Sequence, residues 1–159
     1  MNDLRPILLV EDNPNDIELT LTALKQCNIA NQVIVLRDGA EALDYVYRRG
    51  DYASRAAGEP AVILLDLKLP KVDGLEVLAR IKSDADHKQI PIVMLTSSKE
   101  EKDLVRSYQS GVNSFVVKPV EFSEFFEAIR NLGMFWAILN QPPPPRRRGG
   151  AANDAQEPS

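Results

Sequence analysis

Five short apolar runs punctuate the chain: Ile7–Val10, Gln32–Leu36, Val62–Leu65, Ile90–Leu95 and Phe115–Val117. Each is too short for a helix, is bounded by turn formers such as Asn, Gly and Pro, and lacks the alternation of a half-exposed strand. That pattern predicts strands, with Val62–Leu65 buried on both faces. The intervening segments carry apolar residues at helical spacing. After the first run, Asn13 caps, Pro14 occupies the first helical position, and Asp16 adds first-turn charge to a helix with Ile17, Leu21 and Leu24 inward. Asp38 and Glu41 form a capping box for a second helix, with Leu43, Val46 and Tyr47 inward and Gly50 as its stop. Residues 51–59 are polar and predict a surface loop. Val77, Leu78 and Ile81 define a third helix ending near Ser83. A fourth spans Glu100–Ser110 with Leu104, Val105 and Tyr108 inward and Gly111 closing it, and a strongly apolar fifth spans Ser123–Leu139. Five strand-then-helix units with right-handed crossovers predict an α/β fold, a doubly wound five-stranded parallel sheet of order 2-1-3-4-5.

Composition narrows the class without changing that picture. A chain of 159 residues with 44% hydrophobic content supports one ordinary core. The net charge of -4 argues against a general nucleic-acid binder. No apolar run approaches the roughly 20 residues that cross a bilayer, and the first residues lack the layout of a secretory signal. Cys27 is the single cysteine, so no internal disulfide forms, a reducing cytoplasm fits, and the thiol reads as inert. His87 lies in a polar stretch and reads as exposed. The expected domain covers residues 1–140. Residues 141–159, with Pro142–Pro145 and Arg146–Arg148, read as a solvated, disordered tail.

The chemistry sits where the apolar runs stop. Glu11 and Asp12 follow the first strand, Asp66 the third, Thr96 the fourth and Lys118 the fifth. In a 2-1-3-4-5 sheet these strands are neighbours, and ligands bind outside their carboxyl ends. Any one such residue could simply cap the next helix; four at adjacent strand ends imply a site. Three carboxylates together raise one another's pKa unless a cation is present. A hard oxygen cluster open to water suits Mg²⁺, and the lysine supplies a compact charge for a phosphoryl oxygen. Asp66, on the central strand, is placed as the nucleophile that forms an acyl phosphate. Glu11 and Asp12 then hold the metal, Lys118 neutralises the phosphoryl charge, and Thr96 donates a hydrogen bond to it.

These residues resemble the receiver domain of two-component response regulators, a flavodoxin-like fold. The resemblance rests on Val10-Glu11-Asp12, Leu65-Asp66 through Pro70 with Asp73-Gly74, Leu95-Thr96-Ser97, and Phe115 through Pro119, and it covers about residues 5–139 in order and spacing. It implies phosphotransfer to Asp66 from a histidine kinase or a histidine phosphotransfer protein. It also implies Mg²⁺ on Asp12, Asp66 and the main-chain carbonyl of Lys68, with Glu11 bound mainly through water. It implies a switch in which Thr96 moves and Phe115 turns inward, a cis Lys118–Pro119 bond, and tuning of phosphate lifetime by Lys68 and Ser98. Gly133–Pro143, the long loop after the second helix and the opening Asn13–Asp16 are similar to regulators paired with bacterial phytochrome kinases. With too few residues after Leu139 for a DNA-binding module, output is expected through partner contact, dimer change or phosphate shuttling.

Two other readings compete. A phosphorylation-independent receiver-like interaction module is disfavoured because nucleophile and lysine are both present. A phosphohydrolase or nucleotide enzyme on a doubly wound sheet is disfavoured as well: aspartyl hydrolases usually carry a second aspartate two positions after the first, where this chain has Lys68, and no Gly-rich phosphate loop follows the first strand. In the last helix, Phe122, Phe125, Phe126, Ile129, Leu132 and Trp136 read as a core stripe. Its end is apolar nearly all round, so a homodimer is expected through Phe122, Phe126, Phe135, Trp136, Ile138 and Leu139, with no nucleic-acid or membrane partner.

Overall fold

The computed structural model describes residues 5–107 and 114–131. Strands β1 (Ile7–Val10), β2 (Val33–Leu36), β3 (Val62–Asp66), β4 (Ile92–Thr96) and β5 (Ser114–Val117) alternate with helices α1 (Pro14–Gln26), α2 (Gly39–Tyr47), α3 (Gly74–Lys82), α4 (Lys99–Ser107) and α5 (Phe122–Asn131). The sheet is wholly parallel, in the order β2-β1-β3-β4-β5. The fold therefore matches the predicted class and strand order.

The continuous apolar runs follow from this layering. Successive strand residues point to opposite faces, and both faces are covered. Ile7, Leu9, Leu64 and Leu95 pack with Ile17, Leu24, Phe125 and Ile129 of α1 and α5. Leu8, Val10, Leu65 and Met94 pack with Leu43, Val46, Leu78 and Ile81 of α2 and α3.

Local signals worked at the helix starts. Asn13 Oδ1 accepts the Asp16 N–H at 3.1 Å, and Asp38 Oδ1 accepts the Glu41 N–H at 2.7 Å. The Glu41 carboxylate returns to the N–H of Arg37 (3.1 Å), one residue before the cap. Strand β4 starts later than the apolar run: Pro91 has no N–H to extend the ladder, and only its carbonyl pairs, with Ile63 N at 2.9 Å.

Other expectations need correction. Gly50 does not stop α2. The cap is Arg48, in the left-handed region at φ 55°, and Gly50 opens a single 3-10 turn, Gly50–Tyr52. The reason lies in the following loop. The Arg55 guanidinium stacks on the Tyr45 ring at 4.1 Å and donates to the Tyr45 carbonyl at 2.8 Å, satisfying the helix end from outside. Residues 51–59 are thus tied to α2. Leu104 is not inward but 45% exposed. Lys102 lies over the Phe115 ring at 5.7 Å, so a residue about 200° further round the helix faces away from β5. The side chain of Val105, together with Tyr108 and Gly111, lies outside the described residues. Phe122 is 43% exposed and stacks on Phe126 (5.8 Å), while Phe125 and Ile129 are the buried members of the α5 stripe. Phe122 opens the helix on its outer side, one turn before Phe126. The predicted continuation to Leu139, with Leu132, Phe135, Trp136, Ile138 and Leu139, and the tail 141–159 lie outside the described residues.

His87 is half-buried rather than exposed. Nδ1 lies 3.0 Å from the Asp84 carboxylate, Nε2 lies 4.0 Å from that of Glu59, and the ring meets Tyr47 edge-on at 4.8 Å. Cys27 is buried, and burial pushes its thiol pKa up. No helix among the described residues is long and apolar enough to cross a membrane.

Candidate phosphoacceptor and metal site

The sheet register brings the predicted strand ends together. Val10 pairs with Leu65, Asp66 with Leu95, and Thr96 with Val117. The Lys118 N–H donates to the Thr96 carbonyl at 2.6 Å, extending the β4–β5 ladder by one rung. Glu11, Asp66 and Thr96 are buried, Asp12 is exposed, and the Lys118 side chain is nearly buried. Among the described residues, Glu11, Asp12 and Asp66 each offer an oxygen within 4.8 Å of the other two. Lys118–Pro119 is cis.

The loop after β3 is pressed onto the strand end. Gly74 donates its N–H to the Leu67 carbonyl at 2.8 Å, and a Cβ at position 74 would lie 2.2 Å from the Asp66 carbonyl oxygen. Only a residue without a side chain permits that approach. The start of α2 presses on the same loop more closely still: a Cβ on Gly39 would stand 1.7 Å from the Val72 carbonyl oxygen. The segment carrying Asp66 is held by backbone against backbone.

Lys118 is the electrostatic hub. Its Nζ lies 2.9 Å from Asp66 Oδ1, 3.0 Å from Asp16 Oδ2 and 3.3 Å from Glu11 Oε1. Burial alone would lower its pKa, but the hydrogen bonds and charges of Asp66, Asp16 and Glu11 raise it, so the ammonium stays charged. One lysine does not balance the carboxylates. Burial, then the neighbouring Asp66 charge, push Glu11 up to about 7 against the pull of Lys118. Asp66 is also raised, by burial first and by Asp12 and Asp16 after it, with Lys118 opposing. The pocket is short of positive charge, which suits a divalent cation on the oxygen triad.

Thr96 supplies a second indication. Its Oγ1 is buried and has no hydrogen-bond partner among the described residues. A buried hydroxyl left unsatisfied costs free energy, and a phosphoryl oxygen on Asp66 would satisfy it.

The remaining expected site residues are spread more widely. Lys68 follows Asp66 by two positions, and its exposed side chain turns to Glu101 at 3.5 Å. Glu101 in turn accepts the Ser97 N–H at 2.7 Å. Phe115 is partly buried against the core under α2 and α3, on the far face from Phe125. Asp16 is a site neighbour that the sequence does not mark: there it is first-turn charge and part of the Asn13–Asp16 opening. Asn13 and Pro14 fix the start of α1 so that this third helical residue turns back over the end of β1 to Lys118. A favourable helix-start position concealed the second role.

A doubly wound sheet gathering an aspartate, an acidic pair, a threonine and a lysine at its carboxyl edge has the arrangement of a receiver domain. The profile of the response regulator receiver domain family matches residues 7–130, and the chain belongs to that family. It is 41% identical over 135 residues to the response regulator Rcp1 of Synechocystis sp., covering 85% of this chain and 90% of that one. Two solved bacteriophytochrome response regulators are closer in sequence. AtBRR is 66% identical with a TM-score of 0.82, over 88% of this chain and 100% of that one. RtBRR is 62% identical with a TM-score of 0.82, over 89% and 85%. Rcp1 has also been solved in a Mn²⁺-bound form, with a TM-score of 0.68 at 39% identity over 89% of this chain and 99% of that one. The protein is thus a signalling protein similar to phytochrome-associated regulators, in agreement with the resemblance seen in its sequence.

Proposed function

We propose that Asp66 receives a phosphoryl group and that the resulting charge at the sheet edge is the signal. The observation that carries this reading is the convergence on Asp66 of the Lys118 ammonium, at 2.9 Å, beside the buried and unsatisfied Thr96 hydroxyl. In the transfer, an Asp66 carboxylate oxygen forms a bond to phosphorus. The bond from phosphorus to the donor's nitrogen or oxygen breaks, and the donor atom keeps the electron pair. Lys118 holds charge against the incoming phosphoryl oxygens, and Thr96 donates its hydroxyl hydrogen to one of them. Glu11, Asp12, Asp66 and the main-chain carbonyl of Lys68 would hold Mg²⁺, which when bound supplies positive charge to the transferring group. The protein acts as a phosphoacceptor rather than as an enzyme on other molecules, and promotes only its own phosphorylation and dephosphorylation.

The donor is a histidine kinase, of the bacteriophytochrome class by likeness to AtBRR, RtBRR and Rcp1, or a histidine phosphotransfer protein. The setting is the cytoplasm, the receiver spans residues 1–140, and the output is a Thr96- and Phe115-linked change in partner contact. A homodimer through the last helix would include Phe122 and Phe126. Incubation with acetyl phosphate and Mg²⁺, followed by intact-mass spectrometry, is expected to give a base-labile adduct that does not form in excess chelator. No adduct, or one indifferent to chelator, overturns the reading. Transfer from an autophosphorylated bacteriophytochrome kinase tests the assignment of the donor.

Thr96→Val separates the hydroxyl's role in signalling from its role in folding. Removing an unsatisfied buried hydroxyl is expected to leave the unphosphorylated fold unchanged or more stable by about 1 kcal/mol. The adduct should still form, but the amide shifts of β4 and β5 that follow phosphorylation should be lost. Thermal unfolding and two-dimensional NMR of the same samples read both outcomes.

A further inference from the structure

Lys118 has three N–H donors, and the structure gives it three carboxylates: Asp66 at 2.9 Å, Asp16 at 3.0 Å and Glu11 at 3.3 Å. The proposed function changes the demands on two of them. Phosphoryl transfer converts Asp66 from an anionic carboxylate to an acyl phosphate, whose oxygens lie further from the strand end. Glu11 belongs to the oxygen triad that suits a cation. Asp16 stands outside that triad. It is fixed on the first turn of α1 by the Asn13 cap and the Pro14 start, and its own N–H is bonded to Asn13 Oδ1.

We infer that Asp16 is a positioning residue for phosphoryl transfer: it is the carboxylate that keeps hold of the Lys118 ammonium while Asp66 and Glu11 turn to the phosphoryl group and the metal. A lysine side chain is long and flexible, and a charge anchored from one side is pre-organised for a ligand on the other. The inference rests on the phosphoacceptor reading above. It adds the claim that the help Asp16 gives to transfer comes through Lys118. Its direct effect on Asp66, favouring the protonated carboxyl, works the other way.

The test is a double-mutant cycle on the rate of adduct formation with acetyl phosphate and Mg²⁺. Asp16→Ala is expected to slow phosphorylation about tenfold, in line with the loss of one charged hydrogen bond. Asp16→Asn, which keeps an acceptor oxygen but no charge, should fall between Asp16→Ala and the wild type. Mg²⁺ affinity measured by calorimetry should change less than twofold in both. Lys118→Ala is expected to be slower than Asp16→Ala, and adding Asp16→Ala to it should cost nothing further. If Lys118→Ala forms too little adduct to time, the same cycle is run on the affinity for beryllium trifluoride, a tetrahedral phosphoryl mimic, with the same pattern expected. An equal loss from Asp16→Ala with and without Lys118 overturns the inference, as does an Asp16→Ala protein that phosphorylates at the wild-type rate. Failure of the wild type to form an adduct would instead overturn the phosphoacceptor reading itself.

Discussion

Asp66→Asn is expected to leave no measurable phosphoryl adduct under conditions that label the wild type fully, a loss of at least about a thousandfold. An amide oxygen is a poor nucleophile, and attack through it would give a phosphorylated imidate rather than an acyl phosphate. The substitution is isosteric, so the contacts that place the strand end, above all the Gly74 approach to the Asp66 carbonyl, remain. It also removes one anion from a pocket rich in anions. The variant should therefore unfold at or above the wild-type temperature while losing all transfer. Intact-mass spectrometry and calorimetry on one preparation check both. A variant still labelled at the wild-type rate would place the acceptor elsewhere.

The second large effect concerns Glu11 and pH. Its carboxyl is raised from 4.5 to about 7, by burial first and by Asp66 after it. A raised acid pKa means that the fold prefers the protonated form. The associated stability is complete below about pH 4.5 and is lost as the pH rises through about 7. That interval corresponds to about 3 kcal/mol. Asp66 is shifted in the same direction and steepens the loss. Lys118 is raised from an already high value, so it stays charged throughout and does not bend this part of the curve. In chelator, the urea midpoint is expected to fall steadily from pH 5 to pH 8. Glu11→Gln should flatten most of that slope. Mg²⁺ should stabilise the wild type more at pH 8 than at pH 5, because the cation supplies the charge the pocket lacks and binds only ionised carboxylates. A pH profile equally steep in Glu11→Gln would overturn the assignment.

What the sequence disclosed, and what it did not, divides along one physical line. Strand order and the gathering of Glu11, Asp12, Asp66, Thr96 and Lys118 at one sheet edge were readable because each sits where an apolar run stops, and a parallel sheet aligns those ends by itself. Helix starts at Asn13 and Asp38 were readable because a cap and its partner are three residues apart. Asp16 was not, since its partner Lys118 is 102 residues away and its position already had a sufficient local explanation. The same holds for Arg48 and His87. The end of α2 is set by Arg55 from beyond the helix, and of the groups around His87 only Asp84 is near in sequence, while Tyr47 and Glu59 are joined to it by no spacing rule. Leu104 and Phe122 failed for a different reason. Periodicity says which residues share a helix face, and only packing says whether that face turns inward.

The two glycine contacts have a consequence for how this scaffold can diversify. At Gly74 and Gly39 one main chain rests on another with no side chain between, so neither junction has slack to absorb an inserted residue or an added methyl group. Lys68, Lys71 and Asp73, between those pins, project toward solvent or an exposed helix start. The exposed ends of Lys68 and Lys71 can change while the main chain holds the distance from Asp66 to its neighbours, whereas the α3 cap at Asp73 and the left-handed backbone at Lys71 restrict what can stand there. Surface character and site geometry thus rest on different atoms of a single loop: exposed side-chain ends for the one, close-packed main chain for the other.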